Sequence, residues 1–292
     1  MLHFIDTPVC AVLLSRKMPI EQKWDHLKAL LREMDRAIVA YSGGVDSSLL
    51  LRAAFEVLGP RAIAVTADSE TYPAGELLSA QAFARSLGVE HRVLRTSELA
   101  SEEFVRNSPD RCYFCKKELF AKLRQIGDVE GITFILDGSN LDDLGDFRPG
   151  AKAALEYSVR SPLREAGFSK SDVRACARML NLPVWDKPSL ACLSSRVPYG
   201  TRITPALLQI IHSAECRLRS LGFGQVRVRH HGETARIEVA KSDFKLMLDN
   251  DTAEKIVNAF KELGYTYVCM DLEGYRTGSM NENIKKIVVS KQ

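Results

Sequence analysis

The residues with the clearest chemical potential lie in one loop, Ser42-Gly43-Gly44-Val45-Asp46-Ser47, directly behind the apolar run 37–41. This run is typical of a buried strand, and the apolar spacing of residues 47–55 is typical of a helix, so the loop caps a helix. Glycines let a ligand approach the backbone, and the free N–H groups at a helix start favour an anion. The Asp46 carboxylate could hold Mg²⁺ against phosphates. The loop therefore predicts a site for pyrophosphate.

The same loop indicates which phosphate chemistry to expect. The sequence lacks the G-x-x-x-x-G-K-[ST] pattern of kinases and GTPases, so transfer of the terminal phosphoryl group is not indicated. An ordinary glycine-rich turn is the alternative, but it explains neither the aspartate nor the paired serines. A strand, SGGVDS and a helix resemble the PP-loop of the N-type ATP pyrophosphatases. That family splits ATP into AMP and pyrophosphate and leaves AMP on the substrate.

Three of the seven cysteines form a second group of candidate residues. Cys112 and Cys115 form a C-x-x-C pattern at the predicted start of a helix, and Cys192 lies in a segment bounded by prolines. One C-x-x-C alone is weak evidence, because two half-buried thiols or a redox pair give the same pattern. No second C-x-x-C or neighbouring histidine pair completes a four-ligand zinc set. If Cys192 folds over to the pair, three thiolates could hold a [4Fe-4S] cluster with one iron open.

The elements that must position these residues alternate along the chain. We predict helices and strands in this order: helix 20–34, strand 37–41, helix 47–58, strand 61–67, helix 73–87, strand 90–95, helix 113–125 and strand 132–136. This alternation predicts an α/β fold with a parallel sheet of at least four strands and flanking helices. Gly43, Asp68 and Gly138 would then share the carboxyl edge of the sheet, where such folds bind ligands. We expect Asp68 to contribute to the nucleotide site.

After about residue 185 the pattern changes to a smaller α+β domain. A helix from Thr204 to about Leu221 precedes two strands, 225–230 and 234–240, which the turn at residues 231–233 would join as a hairpin. We therefore expect a loose N-terminal extension over residues 1–18, a PP-loop domain over 19–185 and a C-terminal domain over 186–292. The four other cysteines are expected to be small buried hydrophobes; they are Cys10, Cys176, Cys216 and Cys269.

Several further segments extend the resemblance beyond the PP-loop. They are Arg111-Cys112-Tyr113-Phe114-Cys115-Lys116, Asp137-Gly138-Ser139-Asn140, Asp142, Asp143, Asp146, Arg148-Pro149-Gly150, Ser161-Pro162-Leu163, the segment Pro188 to Arg196 and Pro198-Tyr199-Gly200. Together with SGGVDS they resemble the LarE family from about residue 20 to 275. That family comprises ATP-dependent sulfur transferases with an adenine nucleotide alpha hydrolase-like fold. They act in making the nickel-pincer nucleotide cofactor of lactate racemase.

The resemblance implies a reaction in two stages. ATP adenylates a carboxylate of pyridinium-3,5-biscarboxylic acid mononucleotide, and the SGGVDS loop, through residues 42, 43, 44, 46 and 47, holds the pyrophosphate. In single-cysteine members the residue matching Cys192 attacks the acyl adenylate and gives up its own sulfur, leaving dehydroalanine. In three-cysteine members a sulfide on an open iron is the donor. Because Cys112 and Cys115 accompany Cys192, we favour the cluster, and the sacrificial route stays open.

Charged residues near Cys192 and in the predicted hairpin could assist this chemistry. A cysteine nucleophile needs a nearby cation, and Arg196 lies four residues away; the same arginine could instead bind substrate or be a solvated surface residue. Arg227 and Arg229 alternate with valines and would face the same side of a strand, to bind an anionic substrate or simply to be solvated. Ser195 is a further candidate for substrate binding, and Glu215 and Arg202 are weaker ones. The aspartates at 142, 143 and 146 could assist the metal, hold ribose hydroxyls or be solvated caps.

Composition narrows the alternatives. The chain has 292 residues, of which 46% are hydrophobic, and a net charge of +3 that is too small to require a nucleic-acid partner. The odd cysteine count and the short apolar run at residues 9–14 favour a cytoplasmic protein without a membrane anchor. A tRNA-thiolating enzyme would share the loop and cysteines but should carry a nucleic-acid module, of which we find no sign. Amidating ligases share the loop but have no need of the thiols. We expect a homo-oligomer that receives sulfide or another sulfur donor.

Overall fold

The computed structural model describes residues 18–73, 75–145, 148–188, 191–276 and 279. The chain forms two compact units, and both are discontinuous in sequence. The first comprises Met1–Ser69, Ala74–Thr96 and Cys112–Leu190, and the second comprises Glu70–Pro73, Ser97–Arg111 and Ala191–Gln292. The functional division of the chain at residues 185 and 186 stays a prediction. Residues 1–17 of the expected extension, with Cys10, lie outside the described residues, as do Asp146 and residues 189–190.

A four-stranded parallel sheet forms the centre of the first unit, as predicted. Its strands are β1 (Ala37–Ala40), β2 (Ala62–Asp68), β3 (Glu90–Arg95) and β4 (Phe134–Leu136), and their order across the sheet is β3-β2-β1-β4. All three pairings are parallel, so every strand ends at the same edge. The chain moves outward from β1 to β3 on one side and returns to add β4 on the other. The edge between β1 and β4 is therefore a topological switch point.

Helices cover both faces of this sheet. They are α1 (Ile20–Arg32), α2 (Val45–Leu58), α3 (Glu76–Leu87), α4 (Arg111–Glu130), α5 (Gly150–Glu156) and α6 (Lys170–Met179), with a shorter helical segment at Pro162–Glu165. The short helix Glu102–Val105 belongs to the second unit. Alternation along β1 sends Ala37 and Val39 into one apolar layer and Ile38 into the other. The first layer includes α1, α2, α3 and α6, and the second includes α4. Burial on both faces explains why β1, β4 and most of β2 are apolar, whereas the edge strand β3 is mostly polar and has no buried residue.

The second unit is the α+β arrangement that the sequence predicts. Strands β5 (Val226–His231) and β6 (Thr234–Val239) form an antiparallel hairpin, and β7 (Tyr267–Met270) adds parallel to β6. Helices α7 (Pro205–Ser220) and α8 (Asn250–Glu262) flank this sheet, with a shorter helix at Phe244–Met247. The side chain of Thr204 accepts a hydrogen bond from Leu207 N at 3.2 Å, and so caps α7. The unit has an apolar core of its own, to which both helices and all three strands contribute.

The described cysteines outside the candidate site only partly match expectation. Cys176 is buried as predicted, but Cys216 and Cys269 are exposed, so that prediction was wrong for both. Cys216 lies on the outer side of α7, and Cys269 lies on the edge strand β7, where every second residue is exposed. None of the six described cysteines forms a disulfide. In the described part of the chain, no helix has the length and apolar composition needed to cross a membrane.

Candidate active site

The glycine-rich loop connects β1 to α2, and its own hydroxyl groups fix its shape. The Ser42 and Ser47 hydroxyl oxygens lie 3.0 Å apart, and Ser47 Oγ donates to the Gly44 carbonyl at 3.2 Å. Gly43 has a φ of +73°, and a Cβ there would lie 3.1 Å from the Ala80 Cβ of α3. Both its backbone conformation and its surroundings therefore favour glycine. Helix α2 begins within this loop, at Val45, so the N–H groups of its first turn are available to bind an anion.

The loop after β4 packs directly against the glycine-rich loop. A Cβ on Gly138 would lie only 2.9 Å from the Ser47 backbone nitrogen, so the two segments meet too closely for any side chain at position 138. Next to it, Asp137 accepts hydrogen bonds from Ser139 N at 3.1 Å and from Ser161 Oγ at 2.7 Å. The parallel order of β1 and β4 explains this meeting of residues about ninety positions apart. The predicted convergence of Gly43 and Gly138 at one edge is thus observed.

Asp46 is held by two partners from outside its own loop. Its Oδ1 accepts a hydrogen bond from Asn140 Nδ2 at 3.1 Å, and its Oδ2 forms a short ion pair with Lys170 Nζ. Sequence reasoning missed Lys170, although one signal was present. Lys170 is the first residue of α6, where a cation opposes the helix dipole and so needs an anionic partner. The site therefore carries a lysine ammonium beside the carboxylate that is expected to hold the metal.

The aspartates after Asn140 connect the β4 loop to α6. Asp142 Oδ2 accepts from Lys170 N at 2.8 Å, and Asp143 Oδ2 accepts from Asn140 N at 2.9 Å. Asp143 also pairs with Arg148 at 2.7 Å. Burial raises the pKa of Asp143, although the Asn140 N–H and the Arg148 charge act in the opposite direction. Both carboxylates accept hydrogen bonds from backbone N–H groups, as capping residues do. Their part in assisting the metal or holding ribose hydroxyls stays a prediction.

A second lysine that the sequence did not indicate also contacts the glycine-rich loop. Lys187 Nζ donates to the Gly43 carbonyl at 3.1 Å and pairs with Glu76 at 2.8 Å. No local pattern marks Lys187, since its partners lie more than a hundred positions earlier in the chain. Asp68 ends β2 at the same edge of the sheet, with an exposed side chain, while its carbonyl accepts from Thr96 N at 3.1 Å. Its part in nucleotide binding stays a prediction.

The three candidate cysteines are divided between the two units. Cys112 and Cys115 lie in the first turn of α4, where a spacing of three places both on one face of the helix. Cys112 is exposed, and Cys115 and Cys192 are half-buried. Cys192 immediately precedes the 3-10 helix Leu193–Arg196 of the second unit. Among the described residues, no three histidine, cysteine, aspartate or glutamate side chains form a group that could hold a metal ion.

A fully buried ion pair supports the segment that contains Cys192. Arg196 donates from Nε to Glu215 Oε1 at 2.8 Å and from Nη2 to Glu215 Oε2 at 3.1 Å, and both side chains are completely inaccessible to solvent. The Nη1 of Arg196 donates to the carbonyl of Cys192 at 2.8 Å. Burial opposes ionisation of Glu215, but the Arg196 charge and hydrogen bonds outweigh it, so the pKa of Glu215 is lowered. The solvated-surface interpretation of Arg196 was wrong.

The two arginines of β5 lie in the same unit and are also buried. Arg229 forms a two-pronged ion pair with Glu238, at 2.9 and 2.7 Å, and donates from Nη1 to the Ser195 carbonyl at 3.0 Å. Arg227 lies over the ring of Tyr275, with its Cζ 5.2 Å from the ring centroid. Burial and the neighbouring charge of Arg196 lower the pKa of Arg227 to about 10. The solvated-face interpretation of this strand was therefore also wrong.

The second unit thus brings five of the predicted site residues into one network. Glu215 Oε1 accepts from Arg196 and from the backbone N–H of Val228 at 3.2 Å, between the two arginines of β5. The five residues are Ser195, Arg196, Glu215, Arg227 and Arg229. Glu238, the partner of Arg229, adds a second carboxylate to this network. The role of each in substrate binding stays a prediction.

Comparison with known proteins gives three informative relatives, while no family model matches the chain. An uncharacterised protein from Synechocystis sp. is 43% identical over 267 residues, which cover 91% of this chain and 100% of the relative. The pyridinium-3,5-bisthiocarboxylic acid mononucleotide synthase of Lactiplantibacillus plantarum is 39% identical over 264 residues, or 89% of this chain and 94% of that enzyme. A tRNA-specific 2-thiouridylase from Azorhizobium caulinodans is 30% identical over 192 residues, which cover only 52% of this chain and 49% of the relative.

Proposed function

Since this chain belongs to the LarE family, that of the Lactiplantibacillus plantarum pyridinium-3,5-bisthiocarboxylic acid mononucleotide synthase, we propose that it is an ATP-dependent sulfur transferase. Its substrate is pyridinium-3,5-biscarboxylic acid mononucleotide. The enzyme adenylates one carboxylate of this substrate and converts that carboxylate to a thiocarboxylate. We include in the proposal a cytoplasmic location, a homo-oligomeric state, and sulfide or another sulfur donor. A thiouridylase function is supported less well, because the match to that relative covers only about half of each protein.

The observation that carries the activation step is the meeting of the glycine-rich loop with Asp46 and Lys170. We propose that a substrate carboxylate oxygen attacks the α-phosphorus of ATP and that pyrophosphate leaves, which yields the acyl adenylate. The loop N–H groups, the Ser42 and Ser47 hydroxyls and the Lys170 ammonium stabilise the charge on the departing pyrophosphate. Such an arrangement preorganises positive groups where negative charge develops.

The Asp46 carboxylate is a suitable ligand for a magnesium ion, but its contact with Lys170 would have to change when the ion binds. Carboxylate oxygens are the ligands that Mg²⁺ prefers, and the Asp46 side chain is 22% exposed. Its Oδ2 is engaged by Lys170 Nζ, so a bound ion would require the ammonium to move from the carboxylate to a phosphate. When bound, Mg²⁺ supplies charge neutralisation on the phosphate oxygens. Asp46 is therefore the proposed metal ligand, and Lys170 a proposed phosphate ligand.

We assign the arginine network of the second unit to the anionic substrate. Arg227 is buried beside the charge of Arg196, and both conditions disfavour its ionised form. The negative charge of a phosphate or carboxylate next to Arg227 would offset both effects, which supports a role in binding the mononucleotide. In the same network, Arg196 pairs with Glu215, and Arg229 pairs with Glu238. We propose that Arg196 holds the backbone of Cys192 in place, and that Ser195 and Arg229 act alongside it.

Two sulfur sources are compatible with the cysteines. Cys112, Cys115 and Cys192 offer the three thiolates that a [4Fe-4S] cluster with an open iron requires, and such a cluster would supply a bound sulfide as nucleophile. The three thiols are of the ligand type that the cluster requires, and two of them lie on one face of α4. Because Cys112 and Cys115 accompany Cys192 in this sequence, the cluster is our preferred proposal.

The alternative uses Cys192 alone. Its thiolate attacks the acyl carbon and displaces AMP, which gives a thioester. Loss of the α-proton to a base then breaks the Cβ–S bond, so that the sulfur and its electron pair leave with the product as a thiocarboxylate. Dehydroalanine remains in the protein, which therefore acts once. No oxidant or reductant is needed for this route.

Exchange of Cys192 tests the proposed function. We expect Cys192→Ala to abolish thiocarboxylate formation, measured by mass spectrometry of the nucleotide, while ATP-dependent pyrophosphate release persists. Loss of both activities would assign Cys192 a structural role instead. Cys216→Ala is a matched control, because that exposed cysteine lies outside the proposed site. It should leave both activities unchanged.

Anaerobic purification followed by iron and sulfide analysis separates the two sulfur sources. Four irons per chain, lost in the Cys112→Ala/Cys115→Ala variant, would support the cluster. Absence of iron, with a protein mass lower by one hydrogen sulfide after turnover, would establish the sacrificial route. Binding of unmodified tRNA at micromolar concentration would instead favour a thiouridylase.

A further inference from the structure

Lys23 is a completely buried lysine, and among the residues that the structure describes it pairs with one carboxylate. It lies on α1, its side chain has no solvent exposure, and its Nζ is 2.6 Å from Asp172 Oδ2. An ammonium group out of contact with water is strongly unfavourable unless it is paired and hydrogen-bonded. A methionine or leucine would fill the same apolar layer without this cost. The reason for a lysine at this position must therefore lie in what its partner, Asp172, does in the fold.

Asp172 fixes the first turn of α6. Its Oδ2 accepts from Ser169 N at 2.9 Å, and its own backbone N–H donates to Ser169 Oγ at 3.2 Å, which together make a capping box. The carboxylate at this third position also complements the helix dipole. Burial opposes ionisation of Asp172, but Lys23 and the Ser169 hydrogen bonds lower its pKa. The ion pair thus attaches the start of α6 to α1.

The same turn of α6 carries the lysine of the pyrophosphate site. Lys170 is its first residue, two positions before Asp172, and its Nζ pairs with Asp46. Its backbone N–H is held separately by Asp142 at 2.8 Å. Lys23 holds this turn from the side of α1, and Asp142 holds it from the β4 loop. A shift of the turn would move Lys170 relative to the glycine-rich loop.

We propose that Lys23 is a positioning residue for the pyrophosphate site, which acts through Asp172 and the first turn of α6 to place Lys170 against Asp46 and the phosphates of ATP. The inference rests on the proposed function, since it assigns that site to ATP. Lys23 itself touches neither Asp46 nor the loop in the contacts described. Its effect should therefore pass through Lys170 alone.

A double-mutant cycle with calorimetry tests this path. The probe is α,β-methylene-ATP with Mg²⁺, which cannot be cleaved between the α- and β-phosphates. We expect Lys23→Met to weaken binding about tenfold, as for residues coupled in one network, and to change it less than twofold in a Lys170→Met background. Wild-type affinity in Lys23→Met, or an equal loss in both backgrounds, would overturn the proposal. Failure of the wild-type protein to bind the probe would instead count against the proposed function.

Two further variants keep the test decisive. Lys28 lies on the same helix with a side chain that is 17% exposed, and it pairs with Asp25 at 3.1 Å and Glu56 at 3.5 Å. Lys28→Met also removes ion pairs of α1, but it should leave the affinity for the probe unchanged. If Lys23→Met does not fold, Lys23→Met/Asp172→Asn replaces it, because removing both charges leaves no buried unpaired ion. This double variant should show the same loss of affinity, again only when Lys170 is present.

Discussion

At the residue scale, Asp46 and Lys170 show what a local motif can and cannot reveal. Asp46 could be found because its neighbours in sequence, two glycines and two serines, are also its neighbours in space. Lys170 lies 124 positions away, and only the fold brings it to the same carboxylate. The same holds for Arg196 and Glu215, which lie 19 positions apart in sequence and are buried as an ion pair. A sequence pattern reports the periodicity of apolar and polar residues, but it does not report which charged side chains form ion pairs.

Removal of the Lys170 charge gives the first prediction. We expect Lys170→Met to weaken binding of ATP with Mg²⁺ roughly ten- to hundredfold, because hydrogen bonds to charged groups each contribute about 1.5–3 kcal/mol. Calorimetry with α,β-methylene-ATP measures this change. Lys152→Met is the matched control, since the Lys152 side chain is 72% exposed and pairs with Glu156 only at 3.9 Å. Unchanged affinity in Lys170→Met would remove this lysine from the site.

At the element scale, strand order explains why the site has two loops. β1 pairs with β2 on one side and with β4 on the other, so the turns after β1 and β4 lie side by side. The sequence predicted all four strands to within about two residues. Apolar runs mark β1, β2 and β4, which are largely buried, whereas the edge strand β3 is mostly polar. It could not give their order, which depends on where the α4 crossover returns the chain. The close contact at Gly138 follows from that order.

A methyl group at position 138 tests this contact. We expect Gly138→Ala to push the β4 loop away from Ser47, destabilising the fold by about 1–3 kcal/mol as overpacked sites do, and to weaken ATP binding. Urea unfolding and calorimetry measure the two effects. Gly145→Ala is the control, because a Cβ there meets no atom within 4 Å and its backbone is not left-handed. Equal behaviour of the two variants would show that the contact at Gly138 is dispensable.

At the scale of the whole molecule, each unit has its own core, and the chain passes between the units more than once. The second unit includes the segment 97–111, where Asn107 has a φ of +55° and is completely buried. Asn107 Nδ2 donates to the carbonyls of Pro198 at 2.8 Å and of Thr201 at 3.0 Å, in the loop that follows Cys192. No change of composition marks this segment. Sequence reasoning therefore divided the chain once, near residue 185.

Both units contain histidines whose protonation is disfavoured by the fold, and this sets the pH dependence of stability. Burial lowers the pKa of His91 in the first unit and of His230 and His231 in the second, while neighbouring charges contribute at His231. In the unfolded chain each imidazole titrates near 6.5. As the pH falls through 6.5, the unfolded state takes up protons that the folded state does not bind, so the free energy of unfolding decreases.

We therefore expect stability to be greatest above pH 6.5 and to fall steadily towards pH 5, with a second loss below 4.5 as Glu215, whose pKa is lowered, begins to be protonated in the unfolded state. Urea unfolding at pH 8, 7, 6 and 5 measures the first slope. His91→Gln/His230→Gln/His231→Gln should flatten it between pH 7 and 5, because the replaced groups no longer titrate. His26→Gln is the control, because the His26 side chain is exposed on α1. A slope that persists in the triple variant would assign the acid sensitivity of this protein to its carboxylates alone.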